Sequence, residues 1–226
     1  MNTSIDAVLF DLDGTLLDTA HTLLYAINLA LAEHQRPLIN YQNFRQHVSG
    51  GADAMVSYAF DIDHDHPQFT TLKEQCLSHY ANNLTANMRY FDGIEAVLDY
   101  LDSQQIPWGI VTNKSTRFTL PTLKTLGLDL RTQVVVMADT LAHMKPHPAP
   151  LLHACKQLQK APANTLYVGD FETDVIASRA AGMPCIAVTY GYYPQHMNPY
   201  DWNADQTIEH PRELLQYLVQ SRAHSK

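Results

Sequence analysis

Five short apolar runs punctuate the chain: Ala7–Phe10, residues 110–111 (entered through Trp108 and Gly109), 134–137, 166–168 and Cys185–Val188. None alternates strictly with polar residues. Unbroken runs of this length suit strands buried on both faces, as in a parallel sheet covered by helices. From about residue 90 onward they alternate with segments of helical period. Ile94, Val97, Leu98 and Leu101 form one such set, and Phe118, Leu123 and Leu126, closed by Gly127, form another. Leu151, Leu152, Cys155 and Leu158 follow Pro148; Val175, Ile176 and Ala180 precede Gly182; Leu214, Leu215 and Leu218 follow Pro211. Proline opens a helix well and glycine closes one, so these positions mark helix ends. The alternation predicts an α/β fold with a doubly wound parallel sheet.

Residues 19–87 break the rhythm. They offer no comparable strand run but three helical sets: Ala20, Leu23, Leu24, Ile27 and Leu31; Met55, Val56, Ala59 and Phe60; Phe69, Leu72, Cys76 and Tyr80. The expected organisation is a core of residues 1–18 and 88–226 with a small all-helical lobe, residues 19–87, hinged near Asp18 and Asn87. A length of 226 residues fits this, being about 1.5 times a typical domain.

Composition narrows the function classes. With 46% hydrophobic and 17% charged residues, the chain is ordinary globular material. Fifteen basic against 23 acidic residues leave a net charge of -8 and no basic stripe, which argues against nucleic-acid recognition. No segment approaches the ~20 apolar residues of a membrane helix. The opening Met-Asn-Thr-Ser lacks a basic region and a long apolar run, so a cytoplasmic protein is expected. Cys76, Cys155 and Cys185 are too few and too dispersed for a disulfide framework, and are expected as buried, reduced thiols.

The chemistry gathers where the strand runs end. The first run leads into Asp11-Leu12-Asp13-Gly14-Thr15, the second into Thr112-Asn113-Lys114, the third toward Lys145-Pro146, and the fourth into Gly169-Asp170 with Asp174 beyond. Two carboxylates at the exit of a buried strand are costly unless something pairs them, and a cation would do so. Gly14 lets backbone N–H groups approach an anion closely. A lone Asp after a strand is ordinarily a helix N-cap. Repetition at successive strand ends, the rim where open α/β sheets bind ligands, outweighs that reading.

The set D-x-D-G-T, T-N-K, K-P and G-D-x-x-x-D resembles the haloacid dehalogenase superfamily of aspartate-nucleophile hydrolases, over the whole chain and with no motif position departing. Within it the chain looks most like the bacterial phosphoglycolate phosphatase branch. The resemblance implies a Rossmann-like core with an alpha-helical cap. It implies that Asp11 attacks phosphorus to give an aspartyl-phosphate, while Asp13 protonates the leaving alkoxide and then takes a proton from water. It implies Mg²⁺, held by the Asp11 carboxylate, the Asp13 backbone carbonyl and Asp170, with Asp174 behind them or acting through water. Thr112 and Lys145 would hold the transferring oxygens, helped by backbone N–H groups near Asp13, Gly14 and Asn113. Dehalogenases and phosphonate hydrolases of the superfamily lack an acid at the position of Asp13, which points to a phosphomonoester. Phosphomutases keep both carboxylates and stay open as an alternative. Receiver domains share the acids, Thr and Lys around Mg²⁺, but are roughly half this length and carry no cap.

The substrate expected is a small phosphorylated metabolite bearing a carboxylate, first of all 2-phosphoglycolate. The tail, Gly191-Tyr192 followed by Trp202-Asn203-Ala204-Asp205, is similar to a subgroup acting on N-acetylmuramic acid 6-phosphate, which keeps that substrate and other sugar phosphates open. Substrate choice is expected in the cap. Residues 48–52, with Ser49, Gly50 and Gly51, suggest a small mobile tip, and Arg45 or His47 could meet a substrate carboxylate. Residues 61–66 begin like a calcium loop, but His66 stands where Gly is required and Leu72 where the closing Glu belongs, so a solvated turn is expected. Pro146 and Pro148 break any helix that would align His143 with His147, and a surface loop is expected there. The aromatic group from Tyr190 to Trp202 contains no basic residue, and reads as packing at the sheet edge or the mouth of the site.

Overall fold

The computed structural model describes residues 5–84 and 87–223. The first four residues, on which part of the cytoplasmic expectation rests, lie outside the described residues. The chain divides into two compact units: Met1–Leu17, Tyr90–Gly191 and Asn198–Lys226 form one, and Asp18–Arg89 with Tyr192–Met197 form the other.

Along the chain come β1 (Ala7–Phe10), β2 (Leu17–Asp18), α1 (Ala20–Glu33), α2 (Tyr41–Phe44), α3 (Gly51–Phe60), α4 (Phe69–Asn82) and β3 (Arg89–Tyr90). Then follow α5 (Ile94–Ser103), β4 (Trp108–Val111), α6 (Thr116–Thr125), β5 (Val134–Val136), α7 (Ala149–Leu158) and β6 (Thr165–Gly169). Last are α8 (Glu172–Ala180), β7 (Cys185–Val188), β8 (Gln206–Ile208) and α9 (Pro211–Ala223).

The first unit is built on a six-stranded sheet in the order β5-β4-β1-β6-β7-β8, every neighbouring pair parallel. Five of its strands, all but the edge strand β8, are the apolar runs read from the sequence. Ala7, Val8, Leu9 and Phe10 are fully buried, as strands covered on both faces must be. Helix α7 packs on β5, β4 and β1, α8 on β6 and β7, and α5 on α9. The chain winds outward from β1 through β4 to β5, then returns past β1 to β6, β7 and β8. That reversal puts the switch point beside β1. Phe10 is level with Ile110 on one side and Val168 on the other, so Asp11, Thr112 and Asp170 leave three adjacent strands at one edge.

In the second unit α1 packs chiefly on α4, with α3 against both. Between α1 and α3, Asn40 caps the short helix α2 by accepting the Asn43 N–H at 3.0 Å, and a 3-10 turn over Arg45–Gly50 follows. Residues 48–52, expected as a glycine-rich tip, are instead helical: Val48 is buried, and a side chain on Gly50 would meet the Ala54 Cβ at 2.5 Å. Residues 61–66 form a largely exposed turn between α3 and α4. Tyr192–Met197, assigned to the core in the sequence reading, groups with the helices for a visible reason. The buried Tyr192 hydroxyl accepts the Ala20 N–H at 3.0 Å and donates to Asp18 Oδ1 at 2.8 Å. Arg89 donates to Asp18 Oδ2 from two nitrogens, at 3.1 and 2.8 Å. Both ends of the inserted segment thus meet at one carboxylate. Among the described residues no helix is long and apolar enough to cross a membrane.

Candidate active site

The turn after β1 creates the seat for the site. The Asp11 N–H still donates to Val168 O at 2.9 Å, continuing the ladder to β6. The chain then reverses: Leu16 and Leu17 N–H both donate to Leu12 O, and the Gly14 N–H donates to Leu17 O at 3.0 Å. Gly14 has φ +86°, and a Cβ there would fall 2.1 Å from Asp170 Oδ2. A Cβ on Gly191 would fall 2.2 Å from the Asp170 Cβ. The Asp170 carboxylate therefore sits in a slot between two missing side chains, where it accepts the Thr15 hydroxyl at 3.2 Å. The Gly14 N–H, expected to face phosphate, is already spent in the turn; Gly14 serves through its missing side chain.

Asp174, in the first turn of α8, faces the same space. Its Oδ2 accepts the Phe171 N–H at 3.1 Å, and its Oδ1 accepts from Lys145 Nζ at 2.7 Å and Tyr167 OH at 3.1 Å. Lys145 Nζ also lies 2.8 Å from Tyr167 OH and 2.9 Å from Asp11 Oδ1. Ligand oxygens of Asp11, Asp170 and Asp174 all lie within 4.8 Å of one another. Against these acids stands the Lys145 ammonium. Asp11 Oδ1 is buried, with the Lys145 ammonium 2.9 Å away as its charge partner. A buried oxygen aimed into a carboxylate cluster fits a hard divalent cation.

The electrostatics follow. Burial pushes the Asp11 carboxyl up to about 6, against the lowering pull of the Lys145 charge and with the Asp174 charge adding to the rise. Burial opposes the charged form of Lys145, but Asp11 and Asp174 outweigh it and raise its pKa. Lys145 is therefore a fixed positive charge.

Just beyond β4 the expected trio separates by role. The buried Thr112 accepts the Lys114 N–H on its hydroxyl at 3.2 Å. Asn113 turns its side chain to the Lys145 main chain, accepting the N–H at 3.1 Å and donating to the C=O at 2.9 Å. Lys114 reaches Asp13, with Nζ at 2.9 and 3.1 Å from the two carboxylate oxygens.

Tyr167 was missed by sequence reasoning, because it reads as one more apolar residue of β6. Its signal was a phenol in a fully buried run, which needs a polar partner. It has three within reach, accepting from Lys145 and offering its single hydrogen to Asp174 or to the Val111 C=O, the last at 3.0 Å. His143 and His147 lie in the exposed loop expected of them. No helix aligns them, but a turn closed by the His147 N–H to Met144 O stacks their exposed rings at 4.3 Å. The candidate specificity residues lie in the helical unit. Arg45 stands 5.9 Å over the Tyr192 ring, His47 stacks on Tyr58 at 3.9 Å, and Ser49 donates to Tyr192 O, with Gly50 and Gly51 opening α3.

An aspartate pair, a fixed lysine and a cation-fitting carboxylate cluster stand together at the carboxyl edge of a doubly wound sheet, as the resemblance to aspartate-nucleophile hydrolases implied. The family model for haloacid dehalogenase-like hydrolases matches residues 8–188, and the chain belongs to that family, among its phosphatases. An N-acetylmuramic acid 6-phosphate phosphatase of Pseudomonas aeruginosa is 41% identical over 214 residues, covering 95% of each chain. A phosphoglycolate phosphatase of Xanthomonas campestris is 41% identical over 208 residues, covering 92% of this chain and 94% of that one. A crystal structure described as a predicted phosphoglycolate phosphatase from Haemophilus somnus superimposes with a TM-score of 0.84 at 26% identity, covering 94% and 97%.

Proposed function

We propose that the chain hydrolyses a small phosphomonoester bearing a carboxylate, through an aspartyl-phosphate on Asp11, with Mg²⁺ as cofactor. The observation that carries this is the cluster of Asp11, Asp170 and Asp174, with Lys145 against Asp11 and Asp174. The Asp11 and Asp170 carboxylates and the Asp13 carbonyl oxygen would hold the ion, while Asp174 keeps Lys145 in place. Bound there, Mg²⁺ supplies positive charge that offsets the cluster and the phosphate dianion.

The chain's own groups do the rest. An Asp11 oxygen attacks phosphorus, and the bond to the leaving oxygen breaks as that oxygen takes the proton of the Asp13 carboxyl. Asp13, now a carboxylate, removes a proton from water. The resulting oxygen attacks phosphorus, the Asp11–phosphorus bond breaks, and phosphate leaves with both acids restored. Lys145, Thr112 and the Asn113 N–H hold the transferring oxygens, because charge and position are most of what phosphoryl transfer needs.

The first substrate reading is 2-phosphoglycolate, supported by the Xanthomonas relative. The Pseudomonas relative, with 41% identity over 95% of both chains, favours N-acetylmuramic acid 6-phosphate as a second. Arg45 and His47 are the proposed carboxylate contacts. Initial rates with Mg²⁺ on both compounds and on plain sugar phosphates test this. One carboxylate-bearing substrate should dominate, with activity lost in EDTA; equal, feeble rates on all would overturn it.

A further inference from the structure

We propose that Lys114 is the positioning residue for the acid–base carboxylate, holding Asp13 in the orientation from which it delivers and collects its proton. This rests on the acid–base reading of Asp13 given above. The two lysines at this edge divide the carboxylates between them. Lys145 faces Asp11 and Asp174, whereas Lys114 grips both oxygens of Asp13, at 2.9 and 3.1 Å. An ammonium astride both oxygens resists rotation of the carboxylate, which a contact to one oxygen does not.

Surface lysines rarely fix anything, because a long exposed chain is mobile and screened. Lys114 is different: its side chain is only 7% exposed, less than the 22% of the acid it holds. Its backbone is anchored on three sides as well. The N–H donates to Thr112 Oγ1 at 3.2 Å, and the C=O accepts from Ala138 N at 3.1 Å and Thr119 Oγ1 at 3.3 Å. The exits of β4 and β5 and the first turns of α6 thus converge on the residue that aims the acid. A rigid support of this kind matters because misplacing a reacting group by about 1 Å costs on the order of 10²-fold in rate.

The leaving group supplies a test that a merely structural role would not move. An alkyl phosphate needs a proton on its departing oxygen, whereas p-nitrophenyl phosphate departs as a stable anion. In Lys114→Met, kcat/KM on 2-phosphoglycolate or the muramyl phosphate, whichever is turned over, should fall about 100-fold. On p-nitrophenyl phosphate it should fall less than about 5-fold, because the proton contributes little there. Lys114→Arg, which keeps a cation and guards against misfolding of the methionine variant, should recover part of the alkyl activity. Asp13→Ala should give the same leaving-group bias, and the double variant should add little to it. Equal losses on both substrates, or a loss confined to KM, would make Lys114 a direct contact to phosphate or substrate and overturn the proposal. Absence of leaving-group bias in Asp13→Ala itself would overturn the acid–base reading beneath it.

Discussion

Asn113 holds the main chain of Lys145 from both sides, accepting its N–H at 3.1 Å and donating to its C=O at 2.9 Å. An amide side chain thereby fixes the backbone from which Lys145, the lysine beside Asp11, extends. Asn113→Ala removes both bonds and leaves the Lys145 side chain intact. Activity should fall about tenfold or more through misplaced charge. Stability should fall by about 1 kcal/mol, since these bonds are partly wet. Steady-state kinetics beside a thermal melt separate the two effects.

Gly14→Ala sets a methyl group against the Asp170 carboxylate, 2.1 Å from Oδ2, at φ +86°. The left-handed backbone alone costs about 1–2 kcal/mol. The larger consequence is displacement of Asp170 from the cluster. Turnover should drop more than about 100-fold while the fold survives. A folded variant with near-normal turnover in Mg²⁺ would refute the slot.

Tyr192→Phe removes the hydroxyl that joins the Ala20 N–H to Asp18 Oδ1. Both partners lose a buried bond, so the expected cost is about 1–3 kcal/mol. For a chain of this size each kcal/mol lowers Tm by about 2–4 °C. A melt unchanged within error would show that the Asp18 cluster contributes nothing to stability.

The cysteines offer a check on burial. Burial pushes the Cys76 and Cys185 thiols up to about 12 and raises Cys155 as well. At pH 8 none should be alkylated by iodoacetamide in the native protein, and all three should react in denaturant, as mass spectrometry would record. The sign for stability follows: from the ordinary thiol value of 9.0 up toward 12, the unfolded chain sheds protons that the fold retains. Native stability should therefore decline as pH rises through that window.

Much of the core was legible because its strands are buried on both faces, which forces unbroken apolar runs such as Ala7–Phe10. The polar residues ending those runs marked the site for the same reason, since polarity there breaks a dominant pattern. Strand β8 was not legible: it is a three-residue edge strand, Gln-Thr-Ile, with only Ile208 buried. Tyr167 hid because a phenol looks apolar until its hydroxyl is located. The stacking of His143 on His147 depends on a turn, and proximity through a turn leaves no period. The Asn113 clamp joins residues 32 apart in sequence. The membership of Tyr192–Met197 in the helical unit depends on Asp18, which is 174 positions away from Tyr192. Contacts of such separation have no local signature.

The central claim is that Asp11 carries the phosphoryl group. Borohydride added during turnover reduces an acyl-phosphate, so peptide mapping after such a quench locates it. Reduction should convert Asp11 and no other residue to homoserine, should require Mg²⁺ and substrate, and should vanish in Asp11→Asn along with turnover. Conversion at a different residue, or full turnover in Asp11→Asn, would contradict the account.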